Sequence, residues 1–188
     1  YVFSMFKQWG ITEIHEFGAG TGWNLLQAWE FFDKDPALVL RGSDFVESSV
    51  NLMTELARIS GAPLEARRFD MRKPDQNYKL VAPESAAVMT SGSLEQLGGD
   101  IEPMLDFVVS LSPAVVVSIE PAEETYDLNS LEDFTAHWFQ TKRGYSSGLI
   151  AALKQRELAG TISVDRIQRI GFGSLMMEGY NLFIWRVL

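Results

Sequence analysis

Short apolar runs alternate with longer amphipathic stretches along the chain. Residues 11–17 read as a strand, and 18–22 as a glycine-rich turn. Residues 23–32 carry Leu25, Leu26, Trp29 and Phe32 at helical spacing. A second strand, rich in Val and Leu, covers 37–44. Glu47–Ser60 follows as a helix with Val50, Met53, Leu56 and Ala57 on one face and Gly61 as its stop. Residues 64–69 give a third strand. Residues 86–91 and 114–119 give two more, separated by a helix at 104–111. A long helical stretch spans 130–159, with Gly144 as a candidate break and Gly160 at its end. Strands at 161–170 and 180–187 close the chain with no room for a helix between them, so they pair antiparallel. The pattern predicts an α/β fold: a doubly wound, seven-stranded, mostly parallel sheet with one reversed strand and helices on both faces.

Composition narrows this picture. At 188 residues the chain fits one domain with a full-sized core. A net charge of −9 disfavours a nucleic-acid partner, because such binding rests on Lys and Arg neutralising phosphates. Zero cysteines exclude disulfides, thiolate metal sites and Cys nucleophiles, and suit a reducing cytoplasm. The most apolar stretch, 107–119, is cut by Ser110, Ser112 and Pro113, short of the roughly 20 apolar residues that span a membrane. The chain opens on Tyr1 and goes straight to apolar positions, so its start reads as a cut end with a segment expected upstream.

In sheets of this kind ligands bind beyond the carboxyl ends of the strands. The first end is Glu16-Phe17-Gly18-Ala19-Gly20-Thr21-Gly22, the second Ser43-Asp44-Phe45 and the third Phe69-Asp70-Met71. The fourth is Thr90-Ser91-Gly92-Ser93, and the fifth Glu120-Pro121. The glycine spacing departs from the dinucleotide fingerprint G-x-G-x-x-G, whose last position holds Trp23 here, and no phosphate-cradling P-loop is present. Asp44 can accept hydrogen bonds from both ribose hydroxyls, and Asp70 from an exocyclic adenine amine. Two acceptors without a phosphate clamp describe an adenosine site, and the adenosine carrier without phosphates is S-adenosylmethionine.

The segment Glu16 to Gly22 resembles the first motif, acid-x-G-x-G-x-G, of class I S-adenosylmethionine-dependent methyltransferases. The resemblance covers almost the whole chain. It implies S-adenosylmethionine as cofactor and S-adenosylhomocysteine as product. It puts Gly18, Ala19, Gly20, Gly22 and Asn24 against the cofactor, with Glu16 at the methionine end. Asp44 with Phe45 falls on the second acidic motif, and Asp70 with Met71 on the adenine-binding position. The run from Thr90 to Glu95 is similar to the segment bordering the cofactor after the fourth strand, which implies roles for Ser91 and Gly92. Ser93 and Glu95 would face the acceptor.

Several of these residues have a plainer reading. Glu16 fits a solvent-facing strand position, Asn24 a surface or capping position, and Asp44 and Asp70 helix caps. His15, inside the first strand, reads as a structural residue.

Candidate catalytic groups are Glu120, at the fifth strand end, and His137, the only histidine outside the first strand. Phe134 and Trp138 beside His137 also fit a helix packing surface. Tyr126 lies in the loop after Glu120. Arg143 and Tyr145, in a cluster at 142–147, either hold a substrate or form a solvated helix end. The expectation is a metal-independent enzyme that methylates a small molecule on oxygen or nitrogen, with no nucleic-acid or membrane partner. A non-catalytic S-adenosylmethionine-binding module of a larger protein is the alternative. A nicotinamide-dependent dehydrogenase is disfavoured by the glycine spacing.

Overall fold

The computed structural model describes residues 1–145, 148–171 and 180–188. Its sheet has seven strands: β1 (Glu13–Phe17), β2 (Val39–Asp44), β3 (Leu64–Arg68), β4 (Ala86–Ser91), β5 (Val115–Glu120), β6 (Ile162–Arg169) and β7 (Asn181–Val187). They run in the order β3-β2-β1-β4-β5-β7-β6. β1 to β5 pair in parallel, and β7 lies antiparallel to both β5 and β6. The predicted architecture, including the reversed strand, is the observed one.

Strand alternation sends side chains into two apolar layers. One is closed by α1 (Val2–Gln8), α2 (Trp23–Phe31) and α3 (Glu47–Ser60), which bury Phe6, Leu25, Trp29 and Met53 against Ile14, Leu40 and Val117. The other is closed by α4 (Glu102–Leu111) and α6 (Leu149–Leu158) over Val88, Val116 and Phe183. Within it Phe17, Phe69, Tyr78 and Phe107 form an aromatic cluster with centroids 4.8–6.0 Å apart. Burial of about 25 cal/mol per Å² of such surface is the main force holding these layers on the sheet.

The stretch expected as one long helix is two. Ser130 caps α5 (Leu131–Arg143) by accepting from the Asp133 amide, and Gly144, left-handed at φ 67°, ends it. An L side chain resists that conformation, so the helix stops there and α6 starts afresh. Ser146 and Ser147, of the cluster at 142–147, lie outside the described residues. β1 is buried along its whole length although it carries Glu13, His15 and Glu16. His15 is structural: Nδ1 lies 2.5 Å from the Tyr78 hydroxyl and Nε2 2.5 Å from Glu13 Oε1. Among the described residues no helix is long and apolar enough to cross a membrane.

Candidate functional site

The loop after β1 turns on left-handed glycines. A Cβ on Gly18 (φ 71°) would fall 2.3 Å from Ser93 Cβ, so only glycine lets this loop meet the turn after β4. At Gly20 (φ 56°) a Cβ would meet nothing within 4 Å, so that face of the loop is open to a ligand. Both Gly18 N and Ala19 N donate to the Ser43 carbonyl, at 2.8 and 2.9 Å. Trp23, where the dinucleotide fingerprint has its last glycine, turns outward and is 63% exposed.

Asp44, at the end of β2, points back at this loop. Its Oδ2 accepts from Gly20 N at 2.8 Å, and its Oδ1 from Val46 N at 2.8 Å. A carboxylate has about four lone-pair sites, so acceptor capacity remains for hydroxyls. Gly18, Asp44, Phe45, Asp70, Met71 and Ser93 line a cavity of about 170 Å³. Asp70 accepts from Arg72 N at 2.9 Å, an Asx turn rather than a helix cap. The glycine loop and both acids that the sequence selected therefore converge on one cavity. Arg72 and Gln96 also line it; Arg72 Nη2 donates to the Gln96 carbonyl at 2.9 Å.

Glu16 is not solvent-facing. It is buried beneath the loop and accepts from Asn24 Nδ2 at 2.7 Å through Oε1, while Oε2 has no hydrogen-bond partner among the described residues. Burial pushes its carboxyl up to about 7, against the lowering effect of Asn24. Asn24, in the first turn of α2, orients this carboxylate.

Ser91 ends β4, and Gly92 N donates to the Ile119 carbonyl at 2.9 Å. The Tyr180 hydroxyl sits 3.1 Å from where a Gly92 Cβ would be. Glu120 has no exposed surface and accepts from Ser93 N at 3.0 and 3.2 Å. Ser93 Oγ in turn donates to the Phe17 carbonyl at 3.1 Å. Glu120 thus fixes the turn after β4. Burial pushes its carboxyl up to about 7; the Ser93 amide lowers it, and the Glu95 charge adds to the rise.

Glu95 is also buried, and its carboxyl is pushed up to about 7 by burial, with the Arg143 charge pulling it down. The Arg143 guanidinium lies 5.4 Å from the Tyr145 ring centroid, so the structure brings Glu95, Arg143 and Tyr145 into one neighbourhood. Tyr126 lies under the Arg169 guanidinium at 5.7 Å. His137 is half-buried on α5, its Nδ1 3.3 Å from Glu123 Oε2. Phe134 and Trp138 beside it are exposed rather than packed. Asn181, opposite Glu120 in the β5–β7 pairing, is buried with neither amide atom hydrogen-bonded among the described residues. It opens the last strand, and nothing in the sequence singles it out.

No protein-family model matches the sequence, and no curated protein matches it. Solved structures do match. LepI in complex with SAM aligns at TM-score 0.66 and 10% identity, over 95% of this chain and 43% of LepI. PigF with SAH aligns at TM-score 0.68 and 15% identity, over 99% of this chain and 52% of PigF. A SAM-dependent methyltransferase from Aquifex aeolicus aligns at TM-score 0.62 and 16% identity, over 97% and 87%. The chain spans less than half the length of LepI. Strand order, the reversed β7 and these alignments show that the chain has the Rossmann-like fold of class I S-adenosylmethionine-dependent methyltransferases.

Proposed function

We propose that the chain is a single methyltransferase domain that binds S-adenosylmethionine across the ends of β1 to β4 and methylates a small molecule on oxygen or nitrogen. The observation that carries this reading is the convergence of Gly18, Asp44 and Asp70 on one cavity, with the open Gly20 face held beside it by Asp44 and the unpartnered Glu16 oxygen beneath the same loop. The residues fit the cofactor. Asp44 accepts from the ribose hydroxyls, Asp70 from the adenine amine, and the bare backbone at Gly18 and Gly20 admits the nucleoside. Glu16 takes the amino group of the methionine moiety. Structures of LepI and PigF contain SAM and SAH respectively, which supports this choice.

The cofactor supplies a methyl group on a sulfonium, already activated for in-line displacement. The chain's task is alignment. The turn after β4, held by Glu120 and Ser93, presents Ser91 and Gly92 to the donor. Glu120 acts as a positioning residue, because its carboxylate is sealed in and engaged with the Ser93 amide. The acidic balance of the chain favours a small-molecule acceptor over nucleic acid, and the absence of cysteine suits the cytoplasm.

One observation favours a non-catalytic S-adenosylmethionine-binding module instead. Both candidate bases already have partners, Glu120 with the Ser93 amide and His137 with Glu123. Incubation with methyl-labelled S-adenosylmethionine and a panel of phenols and amines separates the readings. The enzyme reading expects labelled product with matching S-adenosylhomocysteine; binding of the donor without turnover on any acceptor selects the module.

A further inference from the structure

A second and larger cavity, of about 530 Å³, lies on the α1–α2 side of the sheet, a size that suits a small ligand. Met89, Ile119 and Leu182 form its floor, from β4, β5 and β7, and Phe3 of α1 forms a wall. Asn24 lines one part; Arg166 and Gln168 of β6 line another. One edge of this cavity reaches the residues around Glu16, the proposed seat of the methionine amino group. Asn24 is the residue that donates to Glu16, and Met89 is the β4 partner of Glu16 in the strand register.

Its chemistry is lopsided. The floor is apolar, and Arg166 carries the only charged side chain among the residues lining it. Arg166 Nη1 donates to Gln168 Oε1 at 3.0 Å, and its guanidinium lies 5.3 Å from the Tyr1 ring. Among the described residues no carboxylate pairs with it, although the chain carries 25 acidic residues. A guanidinium has five donors, so most of its hydrogen-bonding capacity is open.

We infer that this cavity holds the methyl acceptor, and that the acceptor is a hydroxyl-bearing, mainly apolar carboxylic acid. The apolar body covers Met89, Ile119 and Leu182. The carboxylate pairs with Arg166, and the hydroxyl reaches the Asn24 side, toward the donor. The hydroxyl oxygen forms the new O–C bond as the C–S bond of the donor breaks. The electron pair stays on sulfur, and the proton leaves to water. The inference rests on the proposed function, and it moves the acceptor from the Glu95–Arg143 side of the sheet to the α1–α2 side.

The probes are 4-hydroxycinnamate and its neutral methyl ester, titrated into the whole chain after its affinity for S-adenosylhomocysteine has been measured. With S-adenosylhomocysteine saturating, the acid is expected to bind about tenfold more tightly than the ester. Arg166→Gln, at an exposed position, should remove that preference and leave S-adenosylhomocysteine affinity unchanged. Ile170→Trp, on the cavity's exposed rim, should block both probes. If S-adenosylhomocysteine binds but the acid does not, the inference is overturned and the donor site stands. Equal binding of acid and ester, or indifference to Arg166→Gln or Ile170→Trp, overturns it in the same way. Failure of S-adenosylhomocysteine itself to bind overturns the proposed function, and the inference with it.

Discussion

Glu16 carries the sharpest consequence at the residue scale. A carboxyl held near 7 by burial is largely protonated at about pH 6 and charged at about pH 8. An ammonium brought beside it favours the charged form. S-adenosylhomocysteine affinity should therefore rise about tenfold over that interval, and Glu16→Gln should flatten the rise; calorimetry at the two pH values reads both. Asp44→Ala should weaken S-adenosylhomocysteine binding by about 1–3 kcal/mol, the cost of leaving polar partners unpaired. The same change frees the Gly20 amide, so a small loss of thermal stability accompanies it. Unchanged affinity would remove Asp44 from the ribose role. Asp44 and Asp70 were legible in the sequence because strand ends in a parallel sheet are where ligands sit. Burial of Glu16 was not, since a short strand of mixed polarity does not reveal how deeply it lies.

At the scale of elements, the turn after β4 is held between two strands. Ser93 bonds the end of β1, and Glu120 of β5 bonds the Ser93 amide. Glu120→Ala leaves a buried amide without an acceptor and should destabilise the fold by about 1–3 kcal/mol, measured by denaturant melts. Glu120→Gln keeps an acceptor oxygen and should retain both fold and turnover. A variant that folds and binds donor yet fails to turn over would return Glu120 to the role of base. Strands and their order were readable because apolar runs of strand length alternate with helical periodicity. The division of 130–159 was readable only as a candidate break, since its cause is the left-handed Gly144. α1 carried no signal beyond a handful of apolar residues, yet it buries Met5 and Phe6 and supplies a wall of the larger cavity.

For the whole molecule, three buried carboxyls set the pH dependence of stability. Glu16, Glu95 and Glu120 are each raised to about 7 in the fold, above the ordinary value of 4.5. Each favours the folded state fully below the unfolded value, and that contribution is lost as pH rises through about 7. His15 works the other way: its lowered pKa costs stability only as pH falls below 6.5. Glu13, held down to about 2, matters only in stronger acid. The melting temperature of the ligand-free chain should therefore fall between about pH 6.5 and pH 8.5, and Glu120→Gln should lessen the fall. A flat profile would mean that these carboxyls are better solvated than their burial implies.

The central claim, an adenosine site built without a phosphate clamp, is tested most directly by titrating the chain calorimetrically with S-adenosylhomocysteine and with NAD, beside the Gly20→Ala variant. A Cβ at Gly20 meets no atom of the protein and adds only the backbone strain of an L residue at φ 56°, but it would stand where the ligand approaches. The account predicts binding of S-adenosylhomocysteine, none of NAD, and a folded variant whose S-adenosylhomocysteine affinity is cut by tenfold or more, on the order of 1.4 kcal/mol. Binding of NAD in place of S-adenosylhomocysteine would contradict it.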